Sequence, residues 1–300
     1  MRLDKLTGIL PPVPTPFDAC GDLALDRLRE NLAWWLERPL AGIVALGSNG
    51  EAVHLDDDER RAVVECIRTR VPDHLPVIAG TGVLSTRRTI ALTQSAASAG
   101  ASAVLVLPPH YYRTRMTDEA LVAHYEAVAD AAAVPVLLYN MPACTGIDLG
   151  PELIARLSEH KNIAGLKDSS GNVAKLGLLR EAVAPEFRLL AGSAGFLLPA
   201  LSIGADGGVL ALANIAPAEC VSIHRAFTEG DAAGAARLQT RVVALNAAVT
   251  ARWGVAGLKH AMDRIGLYGG PVRGPLRPLS PTEAATIDGL LRRGGLLPAS

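Results

Sequence analysis

Residues 134–142 read Val134-Pro135-Val136-Leu137-Leu138-Tyr139-Asn140-Met141-Pro142, residues 151–160 Pro151-Glu152-Leu153-Ile154-Ala155-Arg156-Leu157-Ser158-Glu159-His160, and residues 163–170 Ile163-Ala164-Gly165-Leu166-Lys167-Asp168-Ser169-Ser170. The two outer pieces are short apolar runs closed by Pro or Ser. The middle piece places Leu153, Ile154 and Leu157 on one helical face, with charges between them. A strand buried on both faces reads as a continuous apolar run, so strand, helix and strand in succession imply a parallel sheet covered by helices.

The same alternation extends in both directions. Apolar runs ending in Gly, Pro, Ser or Asn recur at Gly8–Phe17, Gly42–Gly47, Pro76–Gly82, Ser102–Pro109, Phe187–Ser193 and Gly207–Asn214. Amphipathic stretches lie between them at Leu25–Arg38, Asp56–Arg70, Ser85–Ala99, Thr117–Ala132 and Val173–Ala184. Asp56 to Asp58 and Thr117-Asp118-Glu119 supply the acidic, hydrogen-bonding starts that suit a helix dipole. Eight such units close naturally into an α/β fold of the (β/α)8 TIM-barrel type. A doubly wound sheet is the alternative, but no GxGxxG follows the first strand, so its dinucleotide-binding form has little support. Beyond Asn214 the pattern turns helical, at Ala218–Thr228, Ala232–Ala251, Val255–Ile265 and Pro281–Arg293. The expected organisation is a barrel over residues 1–229 carrying the active site, and a helical extension over 230–300 packed on it.

Composition narrows the function classes. The formal net charge is -1, which argues against a broad grip on nucleic acid or anionic membrane, since such binding needs clustered positive charge. A small molecule is the expected partner. Cys20, Cys66, Cys144 and Cys220 are scattered and form no CxxC pair, the pattern of free thiols in a reducing compartment. The seven histidines make no HExxH pattern, so no metal is expected. Asp4 and Lys5 interrupt what would be the apolar stretch of a signal peptide, and no run approaches the length of a bilayer span. A cytoplasmic protein is expected.

In a barrel of this kind the active site lies at the C-terminal ends of the strands. Here those ends carry Gly47-Ser48-Asn49-Gly50-Glu51, His110-Tyr111-Tyr112-Arg113, Tyr139-Asn140, Lys167-Asp168-Ser169, Gly192-Ser193-Ala194-Gly195 and Ala213-Asn214. Lysine is rare in this arginine-preferring chain, limited to Lys5, Lys161, Lys167, Lys175 and Lys259. Of these, Lys167 ends a strand-like run, a place better explained by something a guanidinium cannot do, which is to attack a carbonyl as a free amine. The bland reading pairs Lys167 with Asp168. Tyr139, on the neighbouring strand, is placed to move a proton at a substrate oxygen. The turn around Ser48 and Asn49 presents backbone N–H groups that suit a carboxylate, or is an ordinary βα turn. Tyr111-Tyr112 extends a proton relay or packs a loop, and the Gly192 segment packs closely or meets a ligand.

Taken in order, Gly47–Glu51, Tyr111-Tyr112, Leu138–Pro142, Gly165–Ser169 and Gly192-Ser193 resemble the dihydrodipicolinate synthase/N-acetylneuraminate lyase family of Schiff-base barrels, nearly end to end. Within it, Tyr111–Arg113, Arg115-Met116, Ala191–Phe196, Gly207–Asn214, Asn246–Thr250 and Tyr268–Pro271 look most like 4-hydroxy-2-oxoglutarate aldolase. The resemblance implies that Lys167 forms an imine with a 2-oxo group, that Tyr139 is the acid/base, and that Ser48 with Tyr111 or Tyr112 relays protons. It also implies that Ser48 and Asn49 hold the pyruvoyl carboxylate and that Ser169 with Asn49 helps hold the rest of the substrate; Gly192 and Asn214, at the ends of the last two strands, are further substrate-binding candidates. It implies a cofactor-free homotetramer, a dimer of dimers, with one relay tyrosine from a neighbouring subunit. There is one departure. Dihydrodipicolinate synthases carry an arginine two residues after the strand-five proline, and here that place is Cys144, in Pro142-Ala143-Cys144-Thr145-Gly146. A second carboxylate then lacks an obvious cation, and Arg113 and Arg115 are the candidates.

Overall fold

The computed structural model describes residues 6–298. Asp4 and Lys5, on which the expectation about a leader partly rests, lie outside the described residues, as do the outermost ends of the two expected segments. Eight strands form one parallel sheet: β1 (Gly8–Leu10), β2 (Ile43–Ala45), β3 (Val77–Gly80), β4 (Ala103–Val106), β5 (Val136–Asn140), β6 (Ile163–Asp168), β7 (Arg188–Ala191) and β8 (Gly207–Val209). From β2 to β8 each strand pairs with its sequence neighbours, and β1 pairs with β8. The ring closes between β1 and β2 through the chain just past Leu10: Val44 N–H donates to Pro11 O at 3.0 Å and Val13 N–H to Val44 O at 2.9 Å.

Side chains alternate across the sheet, as the two-residue period of a strand requires. Leu10, Val44, Ile78, Leu105, Leu137, Leu190 and Val209 fill the barrel interior. Ile43, Val77, Val104, Val136, Leu166 and Leu189 face the helices. Full burial of one such side chain contributes roughly 1.5–3 kcal/mol, so the apolar runs legible in the sequence are also the main source of cohesion. Polar residues are confined to the strand ends, and that places the chemistry at the rim.

The helices following β1 to β4 are α1 (Leu25–Leu36), α2 (Asp57–Arg68), α3 (Thr86–Ser98) and α4 (Asp118–Ala131). After β5 to β8 come the short α5 (Pro142–Thr145), then α6 (Pro151–Ser158), α7 (Val173–Ala182), α8 (Leu197–Ser202) and α9 (Pro217–Thr228). Asp56 and Glu59 form a reciprocal capping box on α2, at 2.8 and 3.0 Å, and Thr117 caps α4. The short α8, whose third residue is Pro199, has no counterpart among the amphipathic stretches of the sequence. Proline is tolerated there because the first turn of a helix has no internal acceptor for its N–H groups.

Three more helices follow: α10 (Ala232–Ala247), α11 (Gly254–Arg264) and α12 (Pro281–Arg293). The helix read as Ala232–Ala251 ends in a π-helical turn, Ala248–Arg252. This part of the chain lies against the loops at the C-terminal ends of the strands. Gln239 Nε2 donates to Ala194 O at 2.7 Å, and Gln239 Oε1 accepts from Leu198 N–H at 2.8 Å. Among the described residues no helix is long and apolar enough to cross a membrane.

Candidate active site

Register places Tyr139 directly beside Lys167 on β5 and β6. Both point into the barrel, at 4% and 3% exposure, where a free ammonium would have lost most of its water. Lys167 Nζ lies 4.0 Å from the centre of the Tyr139 ring. The Tyr139 hydroxyl in turn shares a hydrogen bond with Ser48 Oγ at 3.4 Å. Three strand ends thus bring an amine, a phenol and a hydroxyl into one chain of contacts.

The pairing of Lys167 with Asp168 does not occur. Consecutive strand residues face opposite ways, so Asp168 points outward, where Lys175 Nζ meets it at 2.9 Å and Asn140 Nδ2 donates to it at 2.8 Å. Ser170 adds a backbone N–H at 2.8 Å and its hydroxyl at 2.5 Å. Lys175 also bonds Asp148 at 2.5 Å. Burial pushes the Asp148 carboxyl up, but Lys175 and Asn140 outweigh it and hold the group below the usual carboxylate range. Asp168 is therefore neutralised behind the sheet. Among the described residues Lys167 has no ion-pair partner.

Ser48 and Asn49 occupy a single 3-10 turn, Ser48–Gly50, between two non-glycine residues in the left-handed region, Leu46 at φ 56° and Glu51 at φ 51°. Such conformations cost of order 1–3 kcal/mol and persist only where the surroundings over-determine them. The surroundings here are specific. Thr15 Oγ1 donates to Gly50 O at 2.7 Å, and the fully buried Glu51 carboxylate meets Lys259 Nζ at 2.6 Å. Glu51 also accepts from Arg273 N–H at 2.9 Å and lies 3.2 Å from His54 Nδ1. Burial lowers the Lys259 pKa, a fall that Glu51 opposes. The residues after α10 thus brace the turn that presents Ser48 and Asn49.

The other expected site residues are placed less uniformly. Ser169 Oγ is buried without a hydrogen-bond partner among the described residues, and Gly192 packs so closely on it that a Cβ would collide with that oxygen. Gly192 therefore acts by its lack of a side chain. Ser193 accepts from Asn246 Nδ2 at 2.9 Å. Asn214 is fully buried and serves barrel closure, donating to Pro12 O and Ala211 O, both at 3.0 Å. Tyr111 and Tyr112 stack edge to face 5.0 Å apart, but at 73% and 69% exposure they stand on the rim and do not reach Tyr139 within this chain. Cys144 lies on α5; burial pushes its thiol up, and the nearby positive charge of Lys167 pulls it back.

Sequence reasoning missed the supports behind the site: Lys175 with Asp148, and Lys259 with Glu51. Their signal was the scarcity of lysine itself, since Lys175 and Lys259 are 5% and 1% exposed.

A family model described as the dihydrodipicolinate synthetase family matches residues 5–293. The chain is 38% identical over 293 residues to 4-hydroxy-tetrahydrodipicolinate synthase of Nitrobacter hamburgensis, covering 98% of both proteins. It is 40% identical to a protein of Halobacterium salinarum named an uncharacterized DapA-like lyase, with 97% of this chain and 95% of that one covered. Among solved structures it is similar to YagE of E. coli K12, a prophage protein of the dihydrodipicolinic acid synthase family in complex with pyruvate. The TM-score is 0.92 and the identity 33%, over 98% of this chain and all of that one. With the barrel, the inward lysine and the neighbouring phenol, these likenesses establish that the chain belongs to the dihydrodipicolinate synthetase family and is a pyruvate-dependent carbon–carbon lyase.

Proposed function

We propose that the protein is a cofactor-free class I aldolase that cleaves 4-hydroxy-2-oxoglutarate into pyruvate and glyoxylate. The observation that carries the imine chemistry is Lys167, 3% exposed, beside Tyr139 and without an ion-pair partner among the described residues. Neutral Lys167 attacks C2, and loss of water gives a protonated imine that accepts the electrons of the breaking C3–C4 bond. Tyr139 takes the C4 hydroxyl proton as that bond breaks, handing its own to Ser48 along their shared hydrogen bond while Ser48 passes its hydroxyl proton on along the relay, from which a proton returns to C3. The resulting enamine is protonated at C3 and hydrolysed, which returns pyruvate and the free amine. Ser48 and Asn49 orient the carboxylate of the pyruvoyl end, and their braced turn keeps that orientation fixed between turnovers. Ser169 faces the remainder of the substrate.

Cys144, in the place where the family's synthases carry arginine, speaks against the lysine-biosynthetic condensation. A second reading keeps the same imine but makes the protein another lyase of the family, a synthase, hydratase-aldolase or sugar-acid aldolase or dehydratase. The synthase name of the Nitrobacter relative favours it. In either reading the enzyme is a cytoplasmic homotetramer, a dimer of dimers, in which Tyr111 or Tyr112 of a neighbouring subunit completes the proton relay. The test is pyruvate condensation with a panel of aldehydes: glyoxylate, aspartate semialdehyde and longer sugar aldehydes. Preference for glyoxylate supports the aldolase reading; preference for the semialdehyde or a sugar aldehyde overturns it.

A further inference from the structure

Lys167 points into the barrel only because β6 breaks its own alternation. Val136 pairs with Ile163 but the next residue, Leu137, pairs with Gly165, so β6 carries one extra residue, Ala164, that the pairing skips. A bulge of this kind moves every later side chain to the opposite face of the sheet. Ile163 packs between the sheet and the helices, and a strict two-residue period would send Gly165 and Lys167 the same way. With the bulge, Leu166 takes the helix-facing side, and Lys167 turns inward to lie 4.0 Å from the centre of the Tyr139 ring. Gly165 stands at the break because nothing larger fits: a Cβ there would meet Arg188 O at 2.5 Å and Leu137 Cδ2 at 3.0 Å.

The shifted register is held at the other end of the strand pair by one side chain. Asn140 pairs with Asp168, directly after Tyr139 with Lys167. Its amide is fully used: Nδ2 donates to Asp168 Oδ2 at 2.8 Å and to Asp148 Oδ1 at 2.7 Å, and Oδ1 accepts from Leu149 N–H at 3.0 Å. Its backbone carbonyl accepts from Ser169 N–H at 2.8 Å. A carboxylate in the same place would offer acceptors alone to two other carboxylates. We propose that Asn140 is a positioning residue: bonded to Asp168 across the strands, it holds β6 in the register that sets Lys167 beside Tyr139. The inference rests on the imine reading given above and adds to it the residue that fixes the geometry of the reactive pair. Asn140 is fully buried on the face of the sheet that looks away from Lys167, so it acts through the strands and not on the substrate.

The assay is deuterium uptake at C3 of pyruvate by the full-length enzyme in heavy water, followed by proton NMR. The pyruvate imine gives up a C3 proton to form the enamine and regains a deuteron from solvent, so the exchange needs the reactive pair and no aldehyde. Asn140→Ala should lower the saturating rate about a hundred-fold, the cost of an ångström-scale misplacement. It should leave the half-saturating pyruvate concentration within about three-fold, because Ser48 and Asn49 orient the carboxylate from a turn that Asn140 does not touch. Asn140→Asp keeps the shape but loses both donors, and should be as slow. Adding Asp168→Asn to Asn140→Asp returns a donor across the strand pair at the wild-type net charge, and should recover at least about ten-fold in rate. Because that double variant keeps the volume and charge of the pair, it reads the same contact even where Asn140→Ala does not fold. A saturating rate in Asn140→Ala within about three-fold of the wild type, or a loss confined to the half-saturating concentration, would overturn the assignment. So would a double variant no faster than Asn140→Asp. A wild type that forms no pyruvate adduct under borohydride would instead remove the imine reading itself.

Discussion

Replacing Lys259 by methionine should destabilise the protein severely, and replacing Glu51 by glutamine in the same chain should recover much of the loss. The two side chains are 1% and 0% exposed and their charged atoms are 2.6 Å apart. At that separation the Coulomb attraction is about 6 kcal/mol for an effective dielectric constant near 20. Desolvating each ion costs several kcal/mol, so the pair as a whole contributes little net stability. Removing one partner is different, because the Glu51 carboxylate then stays buried without its cation, held only by the Arg273 N–H and beside His54. Lys259→Met should therefore cost about 3–5 kcal/mol. Glu51→Gln beside it removes that stranded charge while keeping a side chain that still accepts from Arg273 N–H. The assay is urea unfolding at one fixed protein concentration, which keeps any subunit association constant across the variants. Turnover provides a second readout, since Glu51 follows the turn bearing Ser48 and Asn49. A Lys259→Met loss below about 1 kcal/mol, or a double variant as unstable as the sum of the singles, would show that the pair does not couple and would refute this reasoning.

Tyr139→Phe should lower turnover by about a hundred- to ten-thousand-fold, the usual contribution of a positioned acid/base, with the circular dichroism spectrum unchanged; a loss below about ten-fold would remove Tyr139 from that role. His124 offers a test by pH. Burial pushes its pKa from 6.5 down to about 4; Nδ1 bonds Thr86 Oγ1 at 2.9 Å, and Nε2 has no hydrogen-bond partner among the described residues. The folded state keeps the ring neutral while the unfolded chain protonates it, so its contribution is intact above pH 6.5 and is lost as pH falls from 6.5 toward about 4. The full loss is about 3 kcal/mol. Unfolding free energies at about pH 7 and about pH 4.5 should fall less steeply in His124→Gln than in the wild type, and identical slopes would contradict the assignment.

The barrel was legible because strands buried on both faces leave continuous apolar runs, of which 134–142 and 163–170 are the clearest. The Lys167–Tyr139 contact was legible too, because consecutive strands of a barrel are neighbours and their ends share one rim. Asp168 was harder. Its position beside Lys167 suggests an ion pair, and only the alternation of a strand, which turns it toward Lys175, shows that none forms. The apolar runs of the first and last strands extend beyond the strands themselves. Gly8–Phe17 keeps only Gly8–Leu10 in the strand, and Gly207–Asn214 breaks into a 3-10 turn at Ala211–Asn214. Apolar residues continue past these strands because the segments stay buried, and burial is what the pattern reports. Contacts between distant segments, such as Glu51 with Lys259 or Ser193 with Asn246, leave no local signature, since neither depends on the periodicity of its own element.

The central claim is that Lys167, and not another buried lysine, carries the substrate as an imine. Incubation with pyruvate and borohydride, followed by peptide mass spectrometry, tests it most directly. The adduct should lie on the peptide containing Lys167 and vanish in Lys167→Arg. An unmodified protein, or an adduct on Lys175 or Lys259, would contradict the account.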